Sequence, residues 1–72
     1  MNIIMYKGYE IHAVPLPLAT GAWTATLLIG TSRNGEVRKT TFSGGIFKTE
    51  EEAMRDKFAT GKKMIDGGFR GL

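Results

Sequence analysis

The sequence predicts an α+β fold: an antiparallel meander of three strands, or four if residues 3–6 make one of their own, with one C-terminal helix on one face. Three observations lead there. Apolar residues alternate with period two along residues 9–14 and 22–30, the pattern of half-buried strands. Asn34-Gly35 is a pair able to take the positive φ angles of a tight hairpin turn. Residues 50–66 then change to helical periodicity and carry both a start and a stop signal.

In chain order, YEIHAV at 9–14 sets Tyr9, Ile11 and Ala13 on one face and Glu10, His12 and Val14 on the other. Ile3 to Tyr6 is either a short strand or an extension of this one, interrupted at Lys7-Gly8. Pro15 and Pro17 lack the amide a ladder needs, so regular pairing is expected to end there. The central strand, AWTATLLIG, sets Trp23, Ala25, Leu27 and Ile29 against Thr24, Thr26 and Leu28. The third, EVRKTTF at 36–42, leaves its register open, because Val37 and Phe42 fall on opposite faces unless a bulge separates them. Ser43-Gly44-Gly45 is expected to break it.

Thr49 followed three residues on by Glu52 is a capping-box pattern, and Gly67-Gly68 after Asp66 suits a C-cap. At 100° per residue Met54, Phe58, Gly61 and Ile65 form one stripe, with Ala53, Lys57 and Met64 beside it. Glycine inside a helix costs roughly 1 kcal/mol against alanine. Close approach to a bulky ring offsets that, and Trp23 is the expected ring. The expected core is Tyr9, Ile11, Ala13, Trp23, Ala25, Leu27, Ile29, Phe47, Met54, Phe58 and Ile65.

At 72 residues the chain is one domain, residues 1–72, with 67–72 expected to form a flexible tail. A chain this short buries only about three-fifths of its unfolded surface, so its core is thin. With no cysteine and a single histidine it has neither disulfides nor a thiolate zinc site to reinforce that core. No apolar run approaches the ~18 residues of a membrane span, and the leading MNIIMY lacks a signal peptide's basic region and cleavage site. A cytoplasmic protein away from membranes is therefore expected. A net charge of +3 is mild for a nucleic-acid binder.

Glu50, Glu51 and Glu52 suggest a metal or proton site, but neighbouring helical residues point about 100° apart and do not converge on one ion. The helix explains them better. Carboxylates favour its first turn, and Lys62 and Lys63 its last. His12, with Glu10 on the same face and Thr24 or Thr26 on the next strand, is the one candidate for proton transfer, and it has no activated nucleophile beside it. SGG before a helix suggests an anion loop, yet three glutamates follow it and no phosphate-loop pattern occurs. Arg33, Arg38 and Lys39 flank the predicted hairpin beside a threonine-rich face; they suit either phosphate contact or the protection of an exposed strand.

Tyr6, Gly8 and Tyr9, then Gly21 and Trp23, then Phe47, Thr49, Glu52 and Ala53, and finally Gly61, Ile65 and Asp66 form a pattern along most of the chain. In these motifs the chain resembles a family of small uncharacterised bacterial proteins. The resemblance implies an antiparallel sheet with one helix packed on it, and brings no activity.

The functional expectation is a non-enzymatic interaction module without cofactor or metal. One helix covers little of a twisted sheet, so a homodimer or a protein partner is expected at the other face or the edge. Weak nucleic-acid binding through the hairpin is the alternative. The residues expected to make contact are Arg33, Arg38, Lys39, His12, Thr24 and Thr26.

Overall fold

The computed structural model describes residues 2–33 and 36–68, and of 32–33 and 36–39 the backbone alone. Strands β1 (Ile3–Tyr6), β2 (Tyr9–Pro17), β3 (Trp23–Arg33) and β4 (Glu36–Phe47) form one antiparallel sheet in sequential order, and α1 (Glu50–Asp66) packs on one face. The α+β fold is as expected, with residues 3–6 a strand of their own. The Asn34-Gly35 turn and the tail from Phe69 onward lie outside the described residues. Lys7 and Gly8, at φ 50° and 84°, make a two-residue turn that matches the twist of the strands it joins.

The prolines do not end β2. Pro15 pairs with Ala25 and Pro17 with Trp23. The reason lies in which side each amide faces. The Ala13 amide donates to the Asn2 carbonyl, so odd-numbered residues of β2 turn their amides toward β1 and even-numbered ones toward β3. Pro15 and Pro17 share the parity of Ala13 and stand past the start of β1, where among the described residues no strand waits for an amide. The ladder to β3 loses nothing.

Ser43-Gly44-Gly45 does not break β4 either. Pairing runs without interruption from Arg33↔Glu36 to Ala25↔Gly44, so no bulge separates Val37 from Phe42. The irregularity comes later: between Ala25↔Gly44 and Trp23↔Phe47, Gly45 and Ile46 together oppose Thr24. Gly45 sits at φ 85°, a conformation glycine takes without penalty. The extra residue resets the alternation. Phe47 returns to the helix side opposite Trp23, while Ile46 is left 76% exposed.

Between sheet and helix, Ile11, Ala13, Ala25, Leu27, Ile29 and Ala53 are buried, with Ile4, Tyr6, Tyr9, Phe42, Phe58, Met64 and Ile65 packed around the three largest of them. Trp23, Phe47 and Met54, expected in the core, are only half-buried. The buried stripe of α1 is Ala53, Lys57 and Gly61 rather than the Met54–Phe58 line. Helical periodicity locates an apolar sector, but the small residues mark where the backbone comes nearest the sheet. Gly61 does not face Trp23. A Cβ there would lie 2.9 Å from Ile11 Cγ2 and 3.3 Å from Leu27 Cδ1, so the helix crosses β2 and β3 at their centres.

Lys57 is the least expected member of this stripe, at 8% exposure. Its stem fills the interface, and its ammonium lies 5.7 Å from the Phe47 ring centre and 3.5 Å from Asp56 Oδ2. At the helix start Thr49 Oγ1 accepts from the Glu52 amide at 3.1 Å. The Glu52 carboxylate accepts from the Lys48 amide at 3.4 Å rather than from Thr49, one residue short of the expected reciprocal contact. At the other end Gly67 still has helical φ and donates to Lys63, and Gly68 takes the positive φ of 65°.

Candidate interaction face

Because α1 covers one side of the sheet, every residue of opposite parity is turned to the other. Pairing sets these residues in rows. Ile3, His12, Leu28 and Thr41 form one; Val14, Thr26 and Ser43 the next; Leu16 and Thr24 the last. Met5 and Glu10 sit together beyond the first. The face is thus divided. Its β1–β2 half exposes Ile3, Met5, Val14 and Leu16, with Met5 the most exposed at 65%. Its β3–β4 half carries the hydroxyls of Thr24, Thr26, Thr41 and Ser43.

Of the residues expected to make contact, His12, Thr24 and Thr26 lie on this face. They do not form one cluster. His12 is opposite Leu28, and its Nε2 lies 3.3 Å from Glu10 Oε2 on its own strand. Thr26 is opposite Val14 and shares a 3.1 Å hydrogen bond with Ser43, away from the imidazole. Thr24 stands two pairs further along, opposite Leu16. The side chains of Arg33, Arg38 and Lys39 lie outside the described residues; their backbones pair with Glu36, Thr31 and Gly30. Among the described residues no group of three or more His, Asp or Glu is placed to hold a metal ion, and no helix is long and apolar enough to cross a membrane.

A cluster the sequence reading missed holds β1 in place. The Tyr6 hydroxyl donates to Asp66 Oδ2 at 2.8 Å, the Lys7 ammonium pairs with Asp66 Oδ1, and Lys62 lies 5.6 Å from the Tyr6 ring centre. Asp66 closes α1, where the helix's partial negative charge disfavours a carboxylate. Its partners explain its presence. The contact with Lys7, then that with Tyr6, holds the Asp66 carboxyl below its ordinary value. The same carboxylate raises the Tyr6 phenol and the Lys7 ammonium above theirs. The clasp ties the β1–β2 turn to the helix end, and so fixes the four-residue strand that brings Ile3 and Met5 to the open face. The sequence signal for it was an acidic residue at a helix end that favours bases.

Comparison with protein-family models, with curated proteins and with solved structures gives no match in any of the three.

Proposed function

We propose that this chain is a non-enzymatic interaction module that self-associates through the uncovered face of its sheet. One observation carries the reading: four large apolar side chains, Ile3, Met5, Val14 and Leu16, are exposed together on two adjacent strands. An apolar group of this kind is the usual mark of a contact surface. A second copy suits it. An isologous pairing sets apolar half on apolar half. Among the described side chains of the face the ionisable ones are Glu10 and His12, whose Oε2 and Nε2 lie 3.3 Å apart. β2, β3 and β4, about 4.8 Å apart over some eight residue pairs of about 3.3 Å, with the four-residue β1 beside them, span roughly 450 Å² in projection before side-chain relief. Specific interfaces begin at about 600 Å² per partner, so a pairing has to take in the hydroxyl-bearing half of the face as well as the apolar one.

The test is the sedimentation weight of the wild type and of the Met5→Lys, Val14→Lys double variant. Both positions are exposed, so the variant should keep the wild-type fold while the face-to-face contact is lost and its weight falls below that of the wild type. An unchanged weight, or a wild type that stays monomeric at high concentration, would refute the reading.

A second reading, weak nucleic-acid binding, draws on the backbone of the β3–β4 hairpin. Its pairs from Thr31↔Arg38 to Arg33↔Glu36 lie beyond Glu10↔Gly30, the last pair between β2 and β3, so a segment containing Arg33 and Arg38 stands clear of the rest of the sheet. Titration with RNA and DNA at low salt, where phosphate contacts are strongest, decides it. Binding that weakens in an R33A/R38A variant supports it, and no binding removes it.

A further inference from the structure

The two edges of the sheet are built differently. On the β1 side the outer strand has four residues, and beyond it the edge of β2 presents Pro15 and Pro17, whose nitrogens carry no hydrogen. A strand arriving there finds carbonyls but no amides at those two positions. On the other side β4 runs for twelve residues, and among the described residues no strand lies beyond it.

The parity established by Ala13 carries across the sheet. Even-numbered residues of β2 face β3, so in β3 the even-numbered residues face β2 and the odd-numbered ones face β4. Ala25, Leu27 and Ile29 therefore bond to Gly44, Phe42 and Thr40. The amides and carbonyls of Thr41 and Ser43 point outward from the edge. Among the described residues nothing on the helix side overhangs them, because α1 lies mainly over β2 and β3. A row of outward backbone groups is a template for another strand.

We propose that the β4 edge pairs, antiparallel, with β4 of a second copy, joining two sheets into one. Two features favour a second copy over another extended segment. A two-fold axis at Thr41 pairs this residue with itself, an arrangement in which one residue pair exchanges both backbone hydrogen bonds and threonine faces threonine. Pairing on this edge also closes on itself: the outer edges of the joined sheet are then the short, proline-bearing ones, and growth of the sheet by further strands stops at two copies. This contact is separate from the face. It leaves Ile3, Met5, Val14 and Leu16 uncovered, and it stands or falls without them.

Amide hydrogen exchange across a dilution series reads it out. The Thr40 and Phe42 amides, directed at β3, should be protected at every concentration. The Thr41 and Ser43 amides should exchange fast in dilute solution and gain on the order of tenfold or more in protection as copies associate. Thr41→Pro removes one outward amide and leaves the ladder to β3 intact, so it should abolish the concentration dependence at Ser43. Met5→Lys with Val14→Lys should leave it unchanged, which separates the edge from the face. Thr41 and Ser43 amides that exchange fast at all concentrations, or are protected to the same degree at all concentrations, overturn the proposal. The wild-type series decides this even if the proline variant does not fold.

Discussion

Gly61 shows how one residue without a side chain sets the distance between helix and sheet. An ideal Cβ at this position would stand 2.9 Å from Ile11 Cγ2 and 3.2 Å from Ile11 Cδ1, and Ile11 is fully buried. The methyl it would meet is on a β-branched carbon with no freedom to swing away. Gly61→Ala gains roughly 1 kcal/mol in helix propensity. Overpacking a filled core costs about 1–3 kcal/mol, and here the overlap is with two atoms of one rigid side chain. Chemical denaturation should therefore show Gly61→Ala less stable than the wild type, by about 1 kcal/mol, and Gly61→Val clearly worse. A more stable Gly61→Ala would mean that the helix does not approach Ile11 this closely. A helix-interior glycine was visible in the sequence as an anomaly, but its partner was not. Trp23 is the largest ring, yet it stands on β3 opposite Phe47 at the end of the sheet, far along the strand from Leu27. Lys57, placed beside the apolar stripe by its position, was left out of the expected core for a related reason. Its charge ranks it as a surface residue, whereas its long apolar stem lets it line the interface.

At the scale of elements, the clasp of Tyr6, Lys7 and Asp66 makes stability depend on pH at both ends of the range. Asp66 is held below its ordinary value of 3.8, so its contribution is complete above that pH and is lost as the pH falls through the lower value of the folded state. Tyr6 and Lys7 are raised above 10.0 and 10.5, so theirs is present below those values and is lost as the pH rises through the folded ones. These groups are at the surface, and salt should weaken the effect. Asp66→Asn should melt at a lower temperature than the wild type near neutrality and at the same temperature once the pH is well below 3.8. A constant difference down to acid pH would assign the loss to something other than the carboxylate. Elements with strong local signals were legible in the sequence: the helix runs from its capping threonine to the expected Asp66, and β2 begins at Tyr9. Strand ends were not. Pro15 and Pro17 read as breaks because the sequence does not say which side their nitrogens face. Gly44-Gly45 read as a break because a bulge and a strand end use the same residues.

Taken whole, the described residues make a sheet with one face and one edge left open. Its 43 Å long axis is that of the β3–β4 hairpin, whose strands of 11 and 12 residues extend about 3.4 Å per residue. The other two dimensions, 22 and 20 Å, hold four strands and a helix, so the core is a single layer of side chains. Such a chain gains stability by covering its second face. This much follows from length and pattern: the sequence already placed His12, Thr24 and Thr26 on the open side. It did not show that Ile3 and Met5 join Val14 and Leu16 there. That depends on β1 being a separate strand, which the left-handed Lys7 and the carboxylate of Asp66 bring about.

Methyl NMR spectra recorded on dilution test the central claim, self-association through this face, most directly. The methyl groups of Ile3, Met5, Val14, Leu16 and Leu28 should shift together as copies separate, while those of Ile11, Leu27 and Ile29 beneath the helix stay fixed and report an unchanged fold. Outer-face methyl groups that do not move over the whole range, or shifts that spread equally through the core, would contradict it.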